Sequence, residues 1–583
     1  MKRLFDIPAH QLEKYPNEKM FSFKKNNVWE SISTKSFIKQ VNELSTGLIS
    51  IGIKADDKIG IISLNRYEWN ITDVASLQIG AIVVPLYPTI STNDYKYIFN
   101  DAKIKICFVG DLSLYNKIIS IKSEVPSLEK IYCFDEHEGV LYWRELAIPE
   151  LNVSEIKERS NKIVNADLAT IIYTSGTTGN PKGVMLSHLN IVSNINACID
   201  RMPCNELSRV LTFLPLCHVY ERMLHYLYMY TGCAIYFAES METIGDNIRE
   251  VKPHMFTAVP RLIEKVYDKI IQKGEELTGI KRTLFFWAVS VGSEYDVIGK
   301  SFFYKIKLFI ARKLIFKKWQ LALGGETIAI ASGSAALQPK LARMFLAAGI
   351  NVLEGYGLTE TSPVVAVNCL KNGIRIGTVG TLIDGVSVKL AEDGEILVKG
   401  PNVMIGYYNQ PEITAETIDK DGWFHTGDIG LFVENKFLKI TDRKKEIFKT
   451  SGGKYIVPQM MENKFKESRF IEQIMIIGEG EKFPSALIVP NFTYVREWHK
   501  QQNHQKTTDS NESIAIDQIV IDKIEKEIEI QNATLGNWEQ VKKFRLLSSE
   551  FSIDGGELTP TLKLKRKVIL EKYKQIIESI YTQ

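Results

Sequence analysis

The residues of this chain best suited to chemistry stand together in one stretch, Tyr173 to His188, which reads YTSGTTGNPKGVMLSH. Thr174, Ser175, Thr177 and Thr178 are set among Gly176 and Gly179, and Lys182 lies between Pro181 and Gly183. Glycines let backbone N–H groups turn toward an anion with no Cβ in the way, hydroxyls add donors, and the lysine brings positive charge. That composition suits a polyphosphate. It is not the pattern in which Gly-Lys-Ser/Thr opens a helix directly, because Pro181 and Gly183 flank the lysine.

Further candidates occur along the chain. LPLCHVYER, Leu214 to Arg222, carries His218 in an apolar run, where residue type alone suggests a core histidine. IAIASGSAAL, Ile328 to Leu337, runs a strand into a small-residue turn at Gly333, Ser334 and Ala335. VLEGYGLTET, Val352 to Thr361, repeats the design with Gly355, Tyr356, Gly357, Thr359 and Glu360. Small residues allow close backbone approach to a ligand, and an aromatic ring adds stacking. GWFHTGDIG, Gly422 to Gly430, places Asp428 in a predicted tight turn, where its two oxygens could accept a pair of hydroxyls. DRKKEIFKTSGGKYIVPQMME, Asp442 to Glu462, and GELTPTLKLKRKVI, Gly556 to Ile569, read as a basic hairpin leading to a helix and as a lysine-rich helix start.

The elements that position these motifs can be read from apolar spacing. Leu168–Tyr173 reads as a buried strand and 186–197 as a helix, so a strand, the loop and a helix are expected in succession, with the loop at the carboxyl end of a sheet. Helical spacing over 37–51 and 69–78, with short β-branched runs at 58–63 and 81–85, predicts alternating helices and strands. The same order recurs over 97–109. Alternation of this kind builds a parallel sheet covered by helices. The expected architecture is α/β: a large domain of parallel-rich, helix-covered sheets over 1–441, and a small mobile α+β domain over 442–583. In the latter, 503–513 reads as an exposed polar loop and 514–531 as a helix.

The composition bounds the partners. At 583 residues, 45% of them hydrophobic and 24% charged, the chain is globular, and a net charge of +3 is too small to argue for nucleic acid. Its seven cysteines include no C-x-x-C pair, which suits a reducing compartment and suggests neither a disulfide framework nor a zinc site. No stretch is long and apolar enough for a spanning helix, so a cytoplasmic protein is expected. The segment 302–319, FFYKIKLFIARKLIFKKW, mixes aromatics and aliphatics with Lys305, Lys307, Arg312, Lys313, Lys317 and Lys318. It suits either a peripheral contact with an anionic membrane face, through which an apolar substrate enters, or a core-packed helix with solvated charges.

The 173–188 stretch resembles the signature loop of the adenylate-forming synthetases, and the other motifs occur in that superfamily's order, nearest to its long-chain fatty acyl-CoA synthetase branch. The resemblance implies ATP, Mg²⁺ and coenzyme A. It implies that His218 lies beside the acid carboxylate, that Gly333, Ser334 and Ala335 line the adenine, and that Tyr356 stacks on it. Thr359 would reach the α-phosphate, Glu360 would hold Mg²⁺, Asp428 would bind the ribose, and Arg443 would contact the nucleotide. Lys445 falls on the hinge, Gly452 and Gly453 form the wall past which the thiol slides, and Lys563 matches the catalytic lysine. The family pattern has glycine where Leu562 stands and its proline is displaced relative to Pro560, so Lys565 remains an alternative to Lys563.

The implied reaction has two halves. A fatty acid carboxylate attacks the α-phosphorus of ATP and pyrophosphate leaves; after the small domain rotates, the thiol of coenzyme A attacks the acyl-AMP carbonyl and AMP departs. The alternatives are an acyl-AMP ligase serving a carrier-protein thiol, and a catalytically silent acyl- or nucleotide-binding protein. The protein is expected as a monomer or a homodimer.

Overall fold

The computed structural model describes residues 2–149, 152–174, 180–501, 510–553, 555–559 and 563–582. By its internal contacts the chain divides into two units. The larger comprises 1–389, 397–426 and 432–438, and the smaller comprises 390–396, 427–431 and 439–583.

The larger unit is built on two sheets. One has eight strands in the order Gly406–Tyr407, Lys182–Ser187, Leu168–Thr174, Ile82–Leu86, Lys58–Ile62, Ile104–Val109, Lys130–Cys133 and Leu141–Tyr142. Leu168–Thr174 and the five strands beyond it run parallel, while Lys182–Ser187 and Gly406–Tyr407 add an antiparallel edge. The other has nine strands, and its parallel centre includes Arg209–Thr212, Met255–Ala258, Ala329–Ser332 and Asn351–Gly357. The parallel-rich, helix-covered α/β architecture expected from the alternating pattern is therefore present. The predicted helices appear as Thr34–Ser50, Tyr67–Gln78 and Thr92–Ala102.

The Val219–Tyr230 helix joins the sheets. Arg222, fully buried, donates from Nε to Asp73 on the Tyr67–Gln78 helix at 2.9 Å and from Nη1 to the Thr170 hydroxyl of the eight-stranded sheet at 2.7 Å. Its neighbour Glu221 accepts hydrogen bonds from Thr212 and, at 2.7 Å, from Thr257 of the nine-stranded sheet. A buried charge left unpaired costs several kcal/mol, so pairing Arg222 with Asp73 holds this helix in one register. Burial pushes the Glu221 carboxyl up to about 7 and lowers His225, one turn on, to about 3.

The structure corrects several expectations. The loop is followed first by a strand, Lys182–Ser187, that returns antiparallel to Leu168–Thr174, and the helix starts only at His188. Val184 and Leu186 are buried in that pairing, which outweighs the helical spacing that begins at Leu186. Segment 302–319 is not one regular helix: helix Phe302–Ala311 passes through a π turn, Arg312–Phe316, into helix Lys317–Ala322.

The smaller unit has its own apolar core around a three-stranded sheet of Ile471–Ile477, Ser485–Pro490 and Lys543–Leu546. The helix expected over 514–531 is broken in two, Asn511–Ile516 and Gln518–Asn532, because Asp517 caps the second by accepting from the Ile519 N–H at 2.8 Å. Most of the polar loop expected over 503–513 lies outside the described residues.

Candidate functional site

The candidate phosphate loop connects two antiparallel strands, Leu168–Thr174 and Lys182–Ser187. Thr174 ends one strand and pairs with Lys182, which begins the next; Ser175, Gly176, Thr177, Thr178 and Gly179 lie outside the described residues. Lys182 projects its ammonium over the ring of Tyr407, 5.1 Å from the centroid. That contact arises from the register in which Tyr407 pairs with Val184. The Tyr407 hydroxyl donates to Glu360 Oε1 at 2.9 Å, so one buried tyrosine ties the loop's lysine to the carboxylate of the YGLTE motif. Burial, then the adjoining Glu360 carboxylate, raises the Tyr407 hydroxyl above its ordinary range, which keeps it a donor.

The segment carrying Glu360 is held rigidly. Asn194, on the helix after the hairpin, accepts from the Val364 N–H at 3.1 Å and donates to the Val364 carbonyl at 2.7 Å. Asn402 donates to the Thr361 carbonyl at 2.9 Å, and Asn190 donates to the carbonyls of Pro401 and Val403 at 2.8 and 2.9 Å. One helix thus aligns both chain segments that meet at Glu360 and Tyr407. Gly357 is required by close approach, since a Cβ there would collide with the Pro363 carbonyl oxygen. Thr359 is buried and Glu360 half-buried.

The first small-residue turn leaves the carboxyl end of strand Ala329–Ser332, whereas Gly355, Tyr356 and Gly357, expected in a turn, are the last residues of the neighbouring parallel strand Asn351–Gly357, where they pair with Val364–Val367. A Cβ at Gly333 would meet the Tyr220 ring at 3.4 Å and the Gly355 carbonyl at 3.7 Å, so the turns and the start of the Val219–Tyr230 helix converge. Ser334 adopts φ +69° and Ala335 is exposed, while Tyr356 is half-buried at the end of its strand. His218 caps that helix: its Nδ1 accepts from the Tyr220 N–H at 3.2 Å, which assigns the proton of the neutral ring to Nε2. Beneath the turns, the buried Glu354 accepts from the Leu337 N–H at 3.3 Å, and burial pushes its carboxyl up to about 8.

The larger unit therefore brings together Lys182, Glu360, Thr359, Gly355, Gly357, Tyr356, Gly333 and His218. The sequence reading missed Tyr407, Tyr220 and the asparagines Asn190, Asn194 and Asn402. Tyr220 stood inside the LPLCHVYER motif and could have been flagged; Tyr407 carries no local signal, because only sheet pairing brings it to Lys182.

The remaining candidates lie in the smaller unit. Asp428 is buried in a strand, Phe424–Val433, and not in the tight turn expected; pairing along the strand governs this residue although Gly427 before it has φ +70°. The Arg443 Nε donates to Asp428 Oδ1 at 3.1 Å, so these two predicted nucleotide contacts do meet. Lys445 is exposed. Gly452 and Gly453 lie in the turn of a hairpin that pairs Phe448–Lys449 with Tyr455–Ile456, and Gly453 has φ +75°. Lys563 is exposed beside the antiparallel bridge between Leu558 and Leu564; its N–H donates to Thr559 Oγ1 at 3.0 Å and its carbonyl accepts from the Thr559 N–H at 2.8 Å. Lys565 is half-buried, with its N–H donating to the Glu557 carbonyl at 2.7 Å. Arg566 anchors the start of helix Arg566–Lys572 through Glu446 at 3.1 Å and Glu462 at 2.6 Å.

Comparison with known proteins places this geometry. A family model described as AMP-binding enzyme matches residues 8–408, and one described as AMP-binding enzyme C-terminal domain matches 445–583. The chain belongs to the AMP-binding enzyme family. ATP and coenzyme A are the co-substrates that go with this membership. The chain is 34% identical to long-chain-fatty-acid–CoA ligase FadD15 of Mycobacterium tuberculosis over 96% of its own length and 93% of that protein. It is 32% identical to human long-chain-fatty-acid–CoA ligase 1 over 93% of its length and 82% of that protein. Among solved structures, the adenylation domain of a Mycobacterium chelonae carboxylate reductase matches with a TM-score of 0.76 at 18% identity, covering 100% of this chain and 91% of that one. The anthranilate CoA ligase AuaEII in complex with anthranoyl-AMP matches with a TM-score of 0.71 at 17% identity, covering 98% and 97%. These structural matches share the fold of this AMP-binding enzyme. No helix among its described residues is long and apolar enough to cross a membrane.

Proposed function

We propose that this AMP-binding enzyme is a long-chain fatty acid–CoA ligase, which forms acyl-AMP and pyrophosphate from a fatty acid and ATP and then acyl-CoA and AMP. The observation that carries the reading is the Lys182–Tyr407–Glu360 contact, which sets a cation and a carboxylate side by side at the mouth of the hairpin. Two anions must meet in the first half, so the site has to cancel charge.

In this reading Lys182 and the loop's amides hold the departing phosphates. Thr359 meets the α-phosphate, Tyr356 lies on the adenine beside Gly333, Ser334 and Ala335, and His218 directs its Nε2 proton toward the acid carboxylate. Asp428 takes the ribose hydroxyls with Arg443 beside it. A carboxylate that accepts from Tyr407 on one oxygen and has a second to offer, next to phosphates, fits Mg²⁺, which takes one or two carboxylates and completes its shell with phosphate oxygens and water. Bound at Glu360, it would neutralise charge on the phosphates. Lys563 serves the first half by bridging carboxylate and α-phosphate, and Gly452 and Gly453 admit the thiol in the second, with Lys445 at the pivot. We place the protein in the cytoplasm, with segment 302–319 touching a membrane where the acyl substrate is taken up.

Pyrophosphate release measured across fatty acids of graded length, with and without coenzyme A, tests the reading. Release rising with chain length, with acyl-CoA formed only when coenzyme A is present, is the expected result. Acyl-AMP that reaches a thioester only on a supplied carrier protein would replace it with the carrier-dependent ligase, and no release with any acid would leave a silent binding protein.

A further inference from the structure

Arg566 ties together segments of the smaller unit that lie far apart in the chain. Its Nε donates to Glu446 at 3.1 Å, its Nη2 to the buried Glu462 at 2.6 Å and its Nη1 to the Ile476 carbonyl at 3.1 Å. One guanidinium thus spans the residue next to Lys445, the helix Pro458–Phe465 and the strand Ile471–Ile477. Glu462 is itself fixed, because the same Oε1 accepts from the Ile476 N–H at 2.8 Å. Arg566 begins its helix three residues after Lys563. The backbone between them is held on both sides: Leu564 bridges Leu558, the Lys565 N–H donates to the Glu557 carbonyl at 2.7 Å, and the Lys565 carbonyl accepts from the Ile569 N–H at 3.1 Å. Glu446 and Arg566 stand 120 residues apart in sequence, and their contact shortens the route from Lys445 to Lys563 to a handful of residues.

We infer that Arg566, through Glu446, is a positioning residue that sets Lys563 relative to the pivot at Lys445. In the proposed reaction Lys563 must reach the α-phosphate by a turn about Lys445, and a lysine side chain by itself is a flexible stem with rotating donors. The accuracy of its arrival therefore depends on the backbone that carries it, and a misplacement of about 1 Å can cost about 10²-fold in rate. A guanidinium suits that task, because its planar fork fixes every N–H direction once the group is seated. Stability does not account for the cluster: desolvation offsets much of what a buried ion pair gains, whereas such a pair does fix one relative orientation of the segments it joins. The thiol half uses Gly452 and Gly453 and needs no lysine. Their hairpin is tied separately, with the Ser451 N–H donating to the Glu481 carbonyl and the Gly480 N–H to the Lys449 carbonyl, both at 2.8 Å. The inference rests on the ligase reading and adds to it how the lysine is aimed.

The test is Glu446→Gln in the full chain, alone and combined with Lys563→Ala. Each half is followed by itself: pyrophosphate release from ATP and a fatty acid, and thioester formation from supplied acyl-AMP and coenzyme A. The substitution keeps the size of the half-buried side chain and removes its charge, so the link to Arg566 weakens while Glu462 stays in place. The maximal rate of pyrophosphate release should fall about tenfold or more, while the ATP concentration for half-maximal rate changes by less than about twofold. Thioester formation should keep the wild-type rate, which verifies folding. Added to Lys563→Ala, the same change should cost nothing further, because Arg566 acts through that lysine. Wild-type pyrophosphate release in Glu446→Gln, equal loss in both halves, or a further fall in the Lys563→Ala background would overturn the inference; a merely structural role predicts the last two. A wild-type protein that releases no pyrophosphate with any acid would end the ligase reading and this inference with it, whereas an active wild type with an unaltered Glu446→Gln variant would end this inference alone.

Discussion

Lys182 and Lys563 are assigned to the same half-reaction, yet they are held in opposite ways. Lys182 begins a sheet strand, half-buried, with its charge over an aromatic ring that is itself bonded to Glu360. Lys563 is exposed, with its backbone hydrogen-bonded to Thr559. The contrast extends to the glycines: Gly357 is hemmed in by the Pro363 carbonyl, whereas a Cβ on Gly453 would meet open space. A group that does not obstruct the second half can be built into a sheet. One that would stand in the way of the thiol must be able to leave, and a place in a separate unit permits that.

The largest effect is expected from Lys563→Ala. Adenylate formation should fall by roughly 10²–10³-fold, the scale for losing one transition-state charge contact. Thioester formation from supplied acyl-AMP should persist, and equal loss of both halves in single-turnover assays would end the assignment of Lys563 to the first half. Next come the glycines. Gly357→Ala should destabilise the fold by about 3 kcal/mol, because backbone must move, and both halves should suffer together. Gly453→Ala should cost only about 1 kcal/mol of left-handed strain and slow the thiol half selectively. Thermal melts beside half-reaction rates separate the two.

Tyr407→Phe probes the rigid side. The ring under Lys182 remains and the hydroxyl on Glu360 is lost, a change of about 1 kcal/mol. The Mg²⁺ and ATP concentrations for half-maximal rate should rise several-fold, with little effect when acyl-AMP is supplied. Unchanged requirements would remove Tyr407 from the site.

A further expectation concerns pH. Buried Glu354 titrates at about 8 in the folded protein against 4.5 for an ordinary glutamate, so between these values the native state holds a proton that the unfolded chain has released. Its contribution therefore makes stability fall as pH rises through this window and level off above it. Glu221 and Asp442, each pushed up to about 7 by burial, act in the same direction. Glu354→Gln should make the decline in melting temperature shallower without abolishing it, and an unaltered slope would show that Glu354 ionises freely.

Much of the architecture was legible because helices and strands announce themselves through local spacing. The apolar stripe of Phe37, Val41, Leu44 and Leu48 became the buried face of Thr34–Ser50. Errors fell where a distant partner overrode that spacing. Leu186 looks helical until Leu168–Thr174 is beside it, and Asp428 looks like a turn former until it lies in a paired strand. In segment 302–319 the exposed Phe302, Phe303 and Phe309 and the inward Arg312, which donates to the Ala347 carbonyl, shared one sequence pattern, and only burial separated them.

Residue type and near-neighbour order were enough to establish which chemistry is available: the glycines and hydroxyls around Lys182, the carboxylate of Glu360 and the lysines near the C-terminus can all be read along the chain. Which of these groups meet was settled by folding. Tyr407 reaches Lys182 because a strand from far along the chain pairs in one register with the hairpin, and Asn194 and Asn402 clamp the Glu360 segment from two directions. Composition and periodicity act over a few residues, whereas a site depends on contacts between segments whose order along the chain does not specify their distance in space.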